Sequence, residues 1–232
     1  MIYVLSDVHG NERRFNSIME QINLRPEDTL YVLGDVVDRY PGGIRILRRI
    51  MAMPNAKMIL GNHEYMMLRA LGYPYDDYAD DGRAMAHWYR NGGQVTHRHL
   101  KFLRKSLRAE IVEYLRGLPL SMDIQVNGTN YKLVHGAPVE NYDFAPKYAN
   151  STHFAVWKRL EITGESSGDD QLIFGHTPTR YYQDNVPMEI FHSGNRIGID
   201  CGSGYPEEGL GRLCCLRLDD GKVFYSNEDN IC

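Results

Sequence analysis

Short apolar runs, each closed by a polar cluster with a glycine, recur along this chain: IYVLSDVHG at 2–10, TLYVLGDVVDR at 29–39, KMILGNHE at 57–64, YKLVHGAP at 131–138, QLIFGHTP at 171–178 and RIGIDCG at 196–202. An unbroken apolar run of four or five residues bounded by glycine suits a strand buried on both faces. Between the early runs, Arg13 to Gln21 and Gly43 to Met53 alternate apolar and polar positions at helical spacing, which predicts crossover helices of βαβ units. The fold class expected is therefore α/β. In open α/β sheets ligands sit at the carboxyl ends of strands, where these polar clusters fall, so six loops are expected to converge on one site.

The stretch from about 65 to 117 follows a different pattern. Glu64 to Leu71 reads as helix, 73–82 as a Tyr/Asp-rich loop, and 84–116 as helix interrupted at Asn91-Gly92-Gly93, with no strand-plus-cluster unit. We expect a helical insertion here, packed beside the site in a place suited to substrate selection. Leu118-Pro119-Leu120 then returns the chain to β structure. After the Gly-rich run 198–211, residues 212–218 and 222–226 predict a β-hairpin around Asp219-Asp220-Gly221. No linker-like segment divides residues 1–232, so one domain is expected.

Charge and cysteine usage narrow the picture. Against 26 Lys and Arg stand 30 Asp and Glu, a formal net charge of -4, so no global positive field draws in nucleic acid and none is expected as partner. Cys201, Cys214, Cys215 and Cys232 lie late in the chain without CxxC spacing, the pattern of reduced thiols in a cytoplasmic protein. The apolar start Met1 to Leu5 runs straight into Ser6-Asp7, which predicts a strand and neither a signal peptide nor a membrane anchor.

The clusters carry hard metal ligands. Asp7 and His9 follow the first strand, Asp35 the second, Asn62 the third, and His135 and His176 two later ones, each beside a glycine that permits a sharp turn. A bimetallic centre needs such carboxylates and imidazoles, with one carboxylate able to bridge. Taken singly, Asp7, Asp35 and Asp38 could be helix N-caps, and His135 and His176 core histidines. Five such clusters in order favour the metal reading.

The ordered series Asp7-Val8-His9-Gly10, Gly34-Asp35-Val36-Val37-Asp38-Arg39, Gly61-Asn62-His63-Glu64, Val134-His135-Gly136 and Gly175-His176-Thr177-Pro178 resembles the PPP-type metallophosphatases of the calcineurin-like phosphoesterase superfamily. That group includes eukaryotic and bacterial Ser/Thr protein phosphatases, lambda-type phage phosphatases and symmetrical diadenosine tetraphosphate hydrolases. The resemblance runs from residue 1 to about 204 and implies a four-layer sandwich of two mixed β-sheets flanked by helices. It makes Asp7, His9 and Asp35 ligands of one divalent ion, with Asp35 bridging to a second held by Asn62, His135 and His176. Manganese is expected first, although the donor set accepts Fe, Zn or Ni. His63 becomes the general acid, oriented by Asp38, and Arg39 clamps the phosphoryl oxygens beside Asn62. Glu64 falls to a supporting place behind the ligands. Val156-Trp157-Lys158-Arg159 resembles the Trp-x-Arg segment of the lambda-type enzymes, which makes Arg159 a second phosphate-binding arginine. Asp200 matches a family loop and is expected to shape the turn. The implied reaction is in-line attack by a hydroxide bridging the two ions, without a phosphoenzyme, so the thiols are dispensable.

Two substrate classes fit this centre. Asp38 before Arg39 and Glu64 after His63 favour a phosphoprotein Ser/Thr phosphatase, since the tetraphosphate hydrolases carry GDLVARG and GNHD there. Tyr40-Pro41 after Arg39, and Ala137 after His135-Gly136, depart from the protein-phosphatase pattern too. A dinucleoside polyphosphate would instead need a base pocket, for which Tyr73, Tyr75, Tyr78, Trp88 and Tyr89 are candidates, or else simple packing residues. A third reading, a non-catalytic phosphate-binding module, would be expected to have lost His63 or a ligand. His87, His97, His99, His153 and His192 stand outside the clusters and read as surface or packing residues. Met66, Met67, Leu68 and Leu71 read as core, and the basic run Arg98 to Arg108 as the solvated face of an amphipathic helix.

Overall fold

The computed structural model describes residues 1–73, 75, 82–143, 147–162, 170–186, 188–205 and 211–227; Tyr78 and Cys232 lie outside them, as do 206–210 of the Gly-rich run. The first sheet contains β1 (Ile2–Leu5), β2 (Thr29–Val32), β3 (Ala56–Met58), β9 (Cys214–Arg217) and β10 (Val223–Tyr225), ordered β10-β9-β1-β2-β3. The second contains β4 (Ser121–Val126), β5 (Thr129–Val134), β6 (Gln171–Phe174), β7 (Phe191–Ser193) and β8 (Arg196–Gly198), ordered β4-β5-β6-β8-β7. Both are mixed: β1, β2 and β3 run parallel, as do β5, β6 and β8, and the hairpin partners at the edges run antiparallel. The expected closing hairpin is β9–β10.

Alternation along each strand explains the layers. Val4, Tyr31, Leu33 and Ile59 of the first sheet meet Leu133, Ile173 and Ile197 of the second in a shared buried layer. The opposite face of the first sheet, with Tyr3, Leu5, Leu30 and Val32, is covered by α1 (Glu12–Ile22), α2 (Gly43–Ala52), α3 (Asn62–Ala70) and α6 (Lys105–Arg116). In α1, Phe15, Ile18 and Ile22 recur at the spacing that aligns them on one face, and each buried side chain contributes about 1.5–3 kcal/mol. On the outer face of the second sheet, Val134, Phe174 and Phe191 form a smaller cluster with Leu160, Ile162 and Tyr182. This is the sandwich of two mixed sheets with flanking helices. No described helix is long and apolar enough to cross a membrane.

The helical stretch 84–116 contains a break that its periodicity concealed. It forms α4 (Ala84–Arg90), α5 (Gln94–Lys101) and α6, with Phe102, 84% exposed, at the second junction. Leu100, Leu103, Leu107, Ile111 and Leu115 all pack on one core, so their spacing reads as a single helix although the chain turns at Arg104, which is extended (φ -59°, ψ 147°). The basic run Arg98 to Arg108 therefore straddles two helices and is not one helical face. The sequence reading also did not place α7 (Ser151–Trp157), which carries the N-cap Asn150.

Candidate metal centre and its supports

The polar ends of β1, β2, β3, β5 and β6 meet at one edge of the sandwich. The first two loops are tied together by backbone hydrogen bonds, His9 N–H to Asp35 O at 2.8 Å and Gly10 N–H to Val36 O at 2.7 Å. Their backbone is unusual. Among the non-glycine residues with positive φ, Asp7 (54°), His9 (50°), Asp35 (54°), Asp38 (72°), Arg39 (64°) and His176 (63°) are all candidate site residues; only Asn23 and Asn127 are not. A left-handed side-chain-bearing residue costs about 1–2 kcal/mol, so strain concentrates where the side chains must be aimed inward.

Side chains from both sheets then crowd around Asp35. His9 Nε2 lies 3.8 Å from Asp35 Oδ2 and 3.7 Å from Asp7 Oδ1, while His135 Nε2 lies 3.4 Å from Asp35 Oδ1. Asn62 Oδ1 is approached by His135 Nε2 at 2.9 Å and His176 Nδ1 at 2.8 Å. Two groups satisfy the geometry of a cation site, His9–Asp35–His63 and Asp35–His135–His176, and they share Asp35. All of the expected ligands Asp7, His9, Asp35, Asn62, His135 and His176 are thus brought together. His63 falls geometrically within the first group as well.

The electrostatics fit a cation. Burial, then the neighbouring Asp35, pushes the Asp7 carboxyl above its usual range, and burial does the same for Asp35. Burial pushes the His9 and His176 imidazoles well below theirs, with Arg39 opposing charge on His9 and His135 on His176. Neutral imidazoles and carboxylates forced together out of water are the donor set that divalent ions satisfy. Second contacts fix the ring orientations: His135 Nδ1 faces Leu33 O at 2.6 Å and His9 Nδ1 faces Val37 O at 3.4 Å, leaving each Nε2 toward the cluster. Glu64 supports from behind, its carboxylate accepting the N–H groups of Asp35 (2.8 Å), Val36 (2.9 Å) and Val37 (3.2 Å). A Cβ on Gly61 would strike the Asp35 and Glu64 carboxylates, so only glycine fits there.

A second group lies against the centre. His63 Nδ1 and Asp38 Oδ2 are 2.8 Å apart, and the Trp88 indole N–H donates to the same oxygen at 2.8 Å. Thr96 Oγ1 accepts from Asp38 N–H at 3.0 Å, and Gly92 O accepts from Arg39 N–H at 3.2 Å. Burial pushes His63 down to about 4 and Asp38 up to about 7. Trp88, fully buried, is thus a support that sequence reasoning did not assign; a lone tryptophan in a helical pattern reads as core or as a stacking surface. Tyr89 and Tyr75 are likewise engaged within the fold, Tyr89 Oη 2.5 Å from His97 Nδ1 and Tyr75 Oη donating to Leu118 O at 2.6 Å, while Tyr73 is 49% exposed.

Arg39 and Arg159 are exposed at the rim. Arg39 Nη2 lies 3.5 Å from His63 Nε2, and Arg159 stacks 5.1 Å over the Tyr181 ring. Asp200 accepts from Gly202 N–H at 2.9 Å, shaping its own turn, and burial followed by Asp7 raises its carboxyl to about 8. Cys201, Cys214 and Cys215 are buried free thiols. His87 stacks on Trp157 and His153 on Tyr65, as packing residues do.

The sequence model of calcineurin-like phosphoesterases matches residues 1–201. The chain belongs to the calcineurin-like phosphoesterase family. This phosphoesterase is 29% identical over 212 residues to a protein named serine/threonine-protein phosphatase 2 of Escherichia coli K12, covering 87% of each chain. It is 34% identical over 101 residues to a symmetrical bis(5'-nucleosyl)-tetraphosphatase of Legionella pneumophila strain Corby, covering 38% of this chain and 37% of that one. A crystal structure provisionally assigned as a diadenosine tetraphosphatase superposes with a TM-score of 0.63 at 16% identity, covering 99% of this chain and 94% of the other, a likeness of fold. The phosphoesterase is a hydrolytic enzyme of a metal-dependent family, and its His and Asp groups are able to hold divalent ions.

Proposed function

We propose that this phosphoesterase is a Ser/Thr protein phosphatase working with two divalent ions, manganese first. Asp7, His9 and Asp35 would hold one ion, and Asp35, Asn62, His135 and His176 the other. When bound, the pair supplies positive charge that acidifies water and stabilises the phosphoryl oxygens. The remaining steps belong to the chain. Arg39 and Arg159 clamp the phosphoryl group, with Asn62 beside them, and guanidinium forks suit its oxygens. Asp38 holds His63 by Nδ1, so Nε2 faces the leaving serine or threonine oxygen; the imidazole, held neutral by burial, takes up a proton there as the substrate's phosphate dianion arrives and then releases it to that oxygen. The cytoplasm is the expected compartment, with buried reduced thiols in keeping.

One observation carries the preference for phosphoprotein: of the candidate base-stacking aromatics among the described residues, Trp88, Tyr89 and Tyr75 are engaged within the fold, and Tyr73 alone is exposed. Trp88 is spent on Asp38, and Tyr89 and Tyr75 on His97 and Leu118. The test follows phosphate release by Mn-loaded protein from a phosphoserine peptide beside nucleotide release from diadenosine tetraphosphate at matched concentration. Preference for the peptide is expected; preference for the dinucleotide overturns this reading. Turnover of a chromogenic aryl phosphate, abolished by chelator, separates either enzyme from a non-catalytic binding module.

A further inference from the structure

Arg180 has no place in the reaction described above, yet the fold holds it at the rim of the centre. It lies on the short turn Thr179–Tyr181 immediately after the His176 loop. Thr179 N–H to Asp200 O and Tyr181 N–H to Pro178 O, both 2.9 Å, pin that turn. The Arg180 guanidinium carbon lies 4.3 Å from the centre of the Tyr205 ring and 5.3 Å from that of Tyr181. The same two rings serve the phosphoryl clamp: Arg39 lies 5.8 Å from the Tyr205 centre and Arg159 5.1 Å from that of Tyr181. Arginines and tyrosines therefore alternate in one arc, Arg39, Tyr205, Arg180, Tyr181, Arg159. Tyr205 is itself seated from below, its carbonyl accepting from Tyr40 Oη at 3.0 Å, and a Cβ on the preceding Gly204 would strike His9 and Arg39.

Three guanidinium groups in one arc repel one another, and among the described residues no carboxylate pairs with any of them. The Arg180 N–H groups donate to the neutral Tyr181 and Tyr205 hydroxyls, partners that a carboxylate or phosphate, accepting a charge-assisted bond, can displace. Two forks suffice for one phosphoryl group, so the third can serve another anion. The geometry points to Arg180, backed by Tyr181 and Tyr205, as a second anion-recognition site that reads a carboxylate flanking the scissile phosphate. This rests on the phosphoprotein reading, under which the carboxylate is an Asp or Glu near the phosphorylated residue. Because Arg39 and Arg180 share one ring, and an extended peptide advances about 3.3–3.6 Å per residue, the acidic residue falls within three positions of the phosphoserine.

The test uses the Mn-loaded full chain and two phosphoserine peptides that differ only in Glu or Gln at the flanking positions. The readout is the ratio of their kcat/KM values, which is internal to each variant and insensitive to the fraction of protein folded. Wild type is expected to favour the acidic peptide about tenfold, mostly through KM; a carboxylate–guanidinium contact of about 1.4 kcal/mol corresponds to that factor. Arg180→Gln should bring the ratio near one, and Arg180→Lys should keep part of the preference. Equal turnover of both peptides by wild type, or a ratio untouched by Arg180→Gln, overturns the second site and leaves the phosphatase reading standing. If neither peptide is hydrolysed, the phosphatase reading has failed, and the peptides are then scored as competitors of aryl phosphate turnover. Tighter inhibition by the acidic one, lost in Arg180→Gln, still supports the site; equal inhibition or none overturns it.

Discussion

The strand-end loops and the helical stretch α4–α6 reach the same reaction centre by different means. The loops contribute whole functional groups, Asp7, His9, Asp35, Asn62, His135 and His176, each aimed by a strained or glycine-lined turn. The helices contribute one indole N–H from Trp88, one hydroxyl from Thr96 and one carbonyl from Gly92, all directed at Asp38 and Arg39. Nothing in α4 or α5 touches the expected ligands through these contacts. Chemistry and aim are thus divided between two regions, and damage to each should look different.

The division breaks most visibly at Asp35, which both cation groups share. Asp35→Ala should lower activity by roughly 10⁴-fold or more, the scale on which activated water matters, and metal analysis should find both ions depleted; loss of one ion alone would contradict the shared carboxylate. Next comes His63. His63→Asn should cost about 10²–10³-fold in kcat as an acid does, less on aryl phosphates with good leaving groups, with metal content unchanged. Depleted metal would reassign His63 to the ligand set that its distance to Asp35, 3.9 Å, also allows. On the helical side, Trp88→Phe keeps an aromatic ring, though a smaller one, and removes the donor, and should cost roughly tenfold in kcat at full metal content, the lower end for a support behind a reacting group. A fall in nucleotide turnover alone would instead make the tryptophan a stacking surface. Thr96→Val leaves Asp38 N–H unpaired and should destabilise by about 1–3 kcal/mol, read as a shift in denaturant midpoint. Smallest is the thiol set: with Cys201, Cys214, Cys215 and Cys232 replaced by alanine, specific activity should be unchanged in the folded protein.

The same division explains what could be read from the sequence. Ligands must be Asp, His or Asn and must sit at strand ends, so the clusters announced themselves, and with them the parallel strands that carry them. Glu64 was legible as a support because it neighbours His63. Trp88 was not: a hydrogen bond donated across 50 positions to Asp38 leaves no local signature, and its burial gives the same pattern as any core residue. Arg180 was missed for a related reason, since its importance lies in sharing rings with Arg39 and Arg159 and not in its neighbours along the chain. The break at Phe102–Arg104 escaped because two helices facing one core preserve the apolar spacing of one.

The left-handed backbone also divides the molecule's room for improvement. Asn23, which ends α1 at φ 44°, makes a bend, and Asn127, which enters the β4–β5 turn at φ 50°, makes another while its Nδ2 donates to Asp219 O at 3.0 Å. Glycine would adopt either bend freely, but at Asn127 it would forfeit the bond to Asp219, so Asn23 is the position where a thermostable variant can be sought by drift or design. At Asp7, His9, Asp35, Asp38, Arg39 and His176 the same exchange would relax the chain and erase a working group. At Asp7, Asp35 and Asp38 it would also leave the N–H groups of His176, His63 and Trp88 unpaired, so a library selected for heat resistance alone should spare those turns.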